Sequence, residues 1–131
     1  MFNRAKYFNG QVSEWDVSNV IYMNSLFAHS SFNQDIGSWS VSNVEHMDAM
    51  FYNSPFNKSI HNWQVSNVKN MDYMFANTPF NKDIGSWSVH NVEFMMGMFQ
   101  NNTSFNQNIG QWSVSRVSNM NSMFNGCTNL S

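Results

Sequence analysis

The stretch from Phe32 to Phe51 reads FNQDIGSWSVSNVEHMDAMF, and the chain repeats its pattern in register. Aligned on their opening Phe-Asn, five units span residues 8–31, 32–55, 56–79, 80–104 and 105–131, after a partial repeat over 1–7. The spacing is 24 residues, with one residue extra in the unit that opens at Phe80. The shared pattern is F-N-x-x-I/V-x-x-W-x-V-S-N-V-x-x-M-x-x-M-F. A fixed period of this length marks an architecture in which each unit is too small to bury its own apolar face and does so against its neighbours. The 131 residues therefore read as a single domain.

The columns within a unit predict its local structure. Val44, Met47, Met50 and Phe51 are spaced as one face of a helix of about two turns. Val20, Met23 and Phe27 repeat that spacing, as do Val68, Met71, Met74 and Phe75. Ser18-Asn19, Ser42-Asn43 and Ser66-Asn67 precede these runs and offer side-chain acceptors to the free amides of a first helical turn. Asn53-Ser54-Pro55 and Asn77-Thr78-Pro79 follow, with a proline that stops a helix. The half-unit around the Ile predicts a short strand, over residues 34–39 in the second unit. A strand plus a short helix in about two dozen residues is the leucine-rich-repeat plan. The expected fold class is thus an α/β repeat solenoid, a right-handed coil with short parallel strands on one face and short helices on the other. Asn9, Asn33, Asn57, Asn81 and Asn106 each follow the opening Phe. They are expected to turn inward and bond backbone groups as a structural ladder.

Composition removes several function classes. Lys and Arg number 6 and the net charge is −2, so there is no basic footprint for nucleic acid. No run approaches the roughly 18 apolar residues of a membrane-spanning helix. The opening MFNRAKYFNG lacks the apolar stretch of a signal peptide. Asn and Ser are abundant, but 12 Phe, 11 Met and 5 Trp are foreign to disordered chains and argue for a packed core.

Catalytic and metal-binding groupings are sparse. Cys127 is alone, which excludes an internal disulfide, and no base is paired with it. His29, His46, His61 and His90 fall in four different columns, without metal-ligand spacing. Asp35 and Asp83 share a column but lie two units apart, about 10 Å at about 4.8 Å per stacked strand, too far to share one calcium ion. Asp48 and Asp72 are neighbours in one column but lack further oxygen ligands. No phosphate loop, nucleophile elbow or paired acid and base occurs, and the repeat offers no Ser grouped with His and a carboxylate. No catalytic residue, cofactor or metal is expected, and the chain does not read as an enzyme. Asn57-Lys58-Ser59 matches a glycosylation acceptor hidden by its ladder position. In a secreted eukaryotic protein, Asn101 and Asn102 are expected to be better acceptors.

The residues from Phe32 to Phe51 resemble the BspA-type leucine-rich-repeat surface proteins, in the branch with W-x-V-S-N-V and M-F signatures found in mycoplasma and Listeria lipoproteins. The resemblance covers essentially the whole chain. It implies an extracellular or cell-surface location, roles in adhesion or partner recognition, and no catalytic residues. Departures are Arg116 for the usual Asn, His90 for the usual Ser, and Met96-Gly97 in a normally polar stretch.

The binding face is expected where residues vary beside the constant core, at Gln34, Asp35, Lys58, Ser59, Lys82, Asp83, Gln107 and Asn108. Its low charge favours hydrogen-bonded contact with a protein or glycan on a host or neighbouring surface. The ends suggest a rival reading. Met1-Phe2 aligns with the Met-Phe that closes each unit, and Leu130 stands where a next Phe would fall. Neither end carries a polar cap, which predicts either a piece of a longer array or a structural protein that self-assembles head to tail.

Overall fold

The computed structural model describes residues 3–129, so the readings of Met1-Phe2 and of Leu130 lie outside the described residues. The backbone amides set the architecture. Along residues 47–54, the N–H groups of Met47, Ala49, Phe51 and Asn53 donate to the carbonyls of Asn70, Asp72, Met74 and Ala76 in the next coil. The N–H groups between them, on Met50, Tyr52 and Ser54, donate three residues back to Met47, Ala49 and Phe51. The same alternation runs from Met23 to the His46 carbonyl, from Met71 to Phe94 and from Met95 to Asn119. Every second donor is thus committed to a neighbouring coil.

An α-helix needs each N–H to bond four residues back. The observed pattern forbids it, and the described residues contain no helix. The chain bends instead through left-handed residues four apart, Ala49 (φ 55°) and Asn53 (φ 58°), matched by Ser25 and His29, Tyr73 and Asn77, and Gly97 and Asn101. Such residues end helical propagation. The strands are missing as well. Among the described residues the only pairing is a row of isolated parallel bridges, Tyr22–His46–Asn70–Phe94–Asn119, one residue per coil. Residues 34–39 form no strand and close a turn, Trp39 N–H to the Ile36 carbonyl at 3.1 Å. The α/β solenoid of strands and helices is therefore overturned: successive coils are stacked turns and irregular extended segments. The Ser-Asn pairs do not cap helices either. Asn43, Asn67 and Asn91 donate Nδ2 to the carbonyls of Ser18, Ser42 and Ser66, one coil back.

The core is columnar. Phe27 and Phe32 stack at 3.7 Å within a coil, as do Phe51–Phe56 at 4.0 Å and Phe75–Phe80 at 4.1 Å. Neighbouring coils add Phe32–Phe56 at 6.1 Å and Phe56–Phe80 at 6.0 Å. Met47, Met50, Met71, Met74, Met95 and Met98 are fully buried beside Val44, Val68 and Val92. Trp63 and Trp87 lie parallel at 6.4 Å. The indole N–H groups of Trp39, Trp63, Trp87 and Trp112 donate back one coil, to the carbonyls of Val12, Ile36, Ile60 and Ile84 at 3.0–3.1 Å. Each Trp therefore fills core volume and also fixes the stacking register.

A hydroxyl closes each of the first three coils. Ser30, Ser54 and Thr78 donate to the carbonyls of Phe27, Phe51 and Phe75 and accept from the N–H of Phe32, Phe56 and Phe80. The fourth unit holds its extra residue at this corner. There Asn102, 0% exposed, donates Nδ2 to the Phe80 carbonyl and accepts on Oδ1 from Ser104 and Phe105. Its longer side chain spans the added residue. Asn102 is therefore closed to glycosylation, contrary to the sequence expectation, whereas Asn101 is exposed.

Candidate functional site

The face expected to bind is largely used by the scaffold. Asp35, Asp83 and Asn108 accept on Oδ1 from the N–H of Gly37, Gly85 and Gly110 at 2.8–2.9 Å, which makes them turn formers. A Cβ on Gly37 or Gly85 would stand 2.9 or 2.6 Å from the carbonyl oxygen of Ser59 or Asn108 in the next coil, so a larger residue at either position would force the coils to shift. Gln34 and Gln107 donate to the carbonyls of Asn9 and Asn81 and tie adjacent coils together. Lys58 and Lys82 remain exposed in neighbouring coils.

The Asn row beside that face is a ladder of side-chain acceptors. Asn9, Asn33, Asn57 and Asn81 accept on Oδ1 from the backbone N–H of Asn33, Asn57, Asn81 and Asn106 at 2.8–2.9 Å. Each amide oxygen thereby satisfies a backbone donor of the following coil.

Ser59 and His61 come together, which the sequence reading did not foresee. Ser59 Oγ lies 2.9 Å from His61 Nδ1, and both border a shallow cleft with Asp35. Asp35 Oδ1 is already taken by Gly37 N–H. A hydroxyl–imidazole contact without a carboxylate orienting the ring lacks the third member of a triad. Among the described residues, no three His, Cys, Asp or Glu side chains gather as a metal site.

A second surface gathers rings. His29 and Tyr52 lie 5.2 Å apart, and Tyr52 meets Tyr73 edge-on at 6.2 Å. The Tyr73 ring lies across Gly97, where a Cβ would stand 2.3 Å from it, and its hydroxyl reaches Met96 Sδ at 3.3 Å. Met96-Gly97, a departure at the level of sequence, is thus the seat for Tyr73. Nearby, Asp72 accepts from Met96 N–H at 2.7 Å. Burial pushes its carboxyl above the ordinary range; the Met96 amide opposes that shift and Asp48 adds to it.

A groove of about 450 Å³ crosses the first three coils and is lined by Asn19, Ile21, Asn43, Glu45, Asn67 and Lys69. The backbone holds its floor in register, with Glu45 N–H on the Ile21 carbonyl and Lys69 N–H on the Glu45 carbonyl. Lys69 Nζ pairs with Glu45 Oε1 at 3.2 Å across one edge. Asn43 and Asn67 are held by Nδ2, and their Oδ1 atoms accept no hydrogen bond from the described residues. The sequence carried a signal for this row, since Asn19, Asn43, Asn67 and Asn91 are one column, but helix capping absorbed it. The groove presents fixed acceptors, one ion pair and one exposed apolar side chain. That is a surface for hydrogen-bonded recognition.

Two matches of one family model, described as "Mycoplasma protein of unknown function, DUF285", cover residues 1–79 and 53–131 and together span the chain. No curated protein matches the chain. No solved structure matches it.

Proposed function

With the chain a member of the DUF285 family of mycoplasma proteins of unknown function, we propose that it is a non-catalytic binding or adhesion module at the cell surface, of the BspA-like kind, that recognises a protein or glycan through its polar face. The observation that carries this reading is the groove over the first three coils, where the Asn43 and Asn67 amides are pinned by the scaffold and keep an acceptor free. Groups fixed before binding lose little side-chain entropy when a partner arrives. The surrounding columns support the reading. The repeated Ile/Val, Trp, Met and Phe core positions stay apolar from coil to coil, while exposed positions such as Lys58 and Lys82 differ from their counterparts Gln34 and Gln107.

Beads coated with the full chain test this on epithelial monolayers that are untreated, protease-treated or glycosidase-treated. Adhesion above albumin-coated beads is expected, with loss after one of the two treatments identifying the partner as protein or glycan. Adhesion equal to albumin on untreated cells would refute the reading. A second reading, structural assembly by end-to-end stacking of copies, draws on Val114, Met120 and Phe124, which are exposed in the last described coil while Val89, Met95 and Phe99 are buried. Light scattering across a wide concentration range separates the two: open-ended growth favours assembly, and a constant mass near 15.2 kDa removes it.

A further inference from the structure

Arg116 interrupts the Asn column, and its contact indicates what the groove takes. In the second, third and fourth coils, Asn43, Asn67 and Asn91 donate Nδ2 to the preceding coil's Ser carbonyl at 2.7–2.8 Å. That bond fixes the amide and leaves Oδ1 as its acceptor. At Asn91 the acceptor is occupied, because Arg116 Nη1 donates to it at 2.8 Å. At Asn43 and Asn67 no described residue donates to it, and these two line the groove with Glu45 and Ile21.

On the recognition reading above, we infer that the groove binds an arginine side chain of a partner polypeptide. Oδ1 of Asn43 and Asn67 accepts from the guanidinium, and Glu45 supplies the counter-charge. The Arg116–Asn91 contact is the same interaction made within the chain. A guanidinium brings five donors in a planar fork, suited to amide oxygens and a carboxylate held at set positions, whereas an ammonium is a compact point charge. The Glu45–Lys69 pair does not block this. Both side chains are substantially exposed, 37% and 53%, and exposed ion pairs are weak enough to exchange. Ile21, 41% exposed, offers an apolar surface for the arginine methylenes.

The test is titration of the full chain, at low salt, with an acetylated and amidated Arg-Gly-Arg peptide and with its Lys-Gly-Lys counterpart, read by calorimetry and by the side-chain amide resonances of the Asn residues. The arginine peptide is expected to bind about tenfold more tightly than the lysine peptide, to shift the Nδ2 resonances of Asn43 and Asn67, and to lose affinity severalfold in Glu45→Gln. Arg116→Asn frees the Asn91 acceptor and is expected to leave the affinity undiminished. Equal binding of both peptides, shifts that spare Asn43 and Asn67, or no binding of the arginine peptide would each overturn the inference. Beads that still adhere to cells while the peptide fails to bind would overturn this assignment and leave the recognition reading standing. Failure of both would remove the two together.

Discussion

Trp63 is 3% exposed, and its indole N–H donates to the Ile36 carbonyl at 3.0 Å. Trp63→Ala removes a stacked ring and leaves that carbonyl without its donor, so a loss of about 3–5 kcal/mol in urea denaturation is expected. Trp63→Phe keeps most of the volume and should cost less than half as much, since a single hydrogen bond is worth about 1 kcal/mol net. A wild-type midpoint in the alanine variant would show that the column is not core. Asp72 gives the opposite sign. Its folded-state carboxyl is raised above 3.8, mainly by burial, so the folded chain holds the proton more tightly than the unfolded chain. Stability is therefore lost as pH rises from 3.8 through the raised folded value. Asp72→Asn retains an oxygen for Met96 N–H, and Asn already occupies the column at Asn24 and Asn121. The variant should gain under about 1 kcal/mol at pH 7, discounted because the group is only partly buried, and nothing at pH 3. A gain that persists at pH 3 would show that the charge is not the cause. At this scale the Trp, Phe and Met columns were legible because burial follows residue type. The partners of Asn43 and Asn67 were not, because an Asn before an apolar run looks alike whether it caps its own turn or bonds a coil 24 or 25 residues away.

The turn run is where sequence and structure part. Val44, Met47, Met50 and Phe51 do face one core, but a chain of overlapping turns with left-handed residues at Ala49 and Asn53 brings the same positions inward. Side-chain spacing reports which residues are buried. It does not report where the backbone donors go, and here half of them leave for the next coil. Ala and Tyr at left-handed positions give no local warning, since non-glycine residues seldom adopt that conformation. Far-UV circular dichroism should accordingly lack the paired helical minima while near-UV aromatic signals stay strong; clear helical bands would restore the helical reading. The corner at Asn102 can be tested as an element. Asn102→Ala strands the Phe80 carbonyl and the Ser104 and Phe105 N–H groups, and each buried unmet group costs about 1–3 kcal/mol. Replacing Asn102 with Thr while deleting Thr103 restores the corner of the third coil, Asn77-Thr78-Pro79-Phe80. That double change should recover most of the loss in thermal melting. If it is no better than Asn102→Ala, the extra residue is not what the asparagine accommodates.

Across the whole molecule, the bonds that leave a coil join it to the one beside it. The Asn ladder, the indole donors and the amides of the turn run that leave their coil link residues 23–28 apart. Stability should then approximate a sum of coil and interface terms. Deleting residues 56–79 tests this, because it joins Pro55 to Phe80 as Pro79 now joins Phe80. It also presents Trp87 to Ile36 and Asn81 to Asn33, the same residue types that they meet now. The shortened chain should fold cooperatively, with a urea m-value lower by about one fifth, in proportion to the surface it no longer buries. Deleting only residues 56–67 removes half a period and sets the Phe columns against polar ones, so no cooperative transition is expected. The repeat made the register and the neighbour-to-neighbour core legible from sequence, since equal spacing leaves one alignment that keeps Phe on Phe and Trp on Trp. The groove was not legible, because it depends on which amide atom the scaffold uses and which it leaves open. If the half-period deletion folds as well as the full one, packing in this chain tolerates mismatched columns, and the register assigned to every exposed residue, Asn43 and Asn67 included, falls with it.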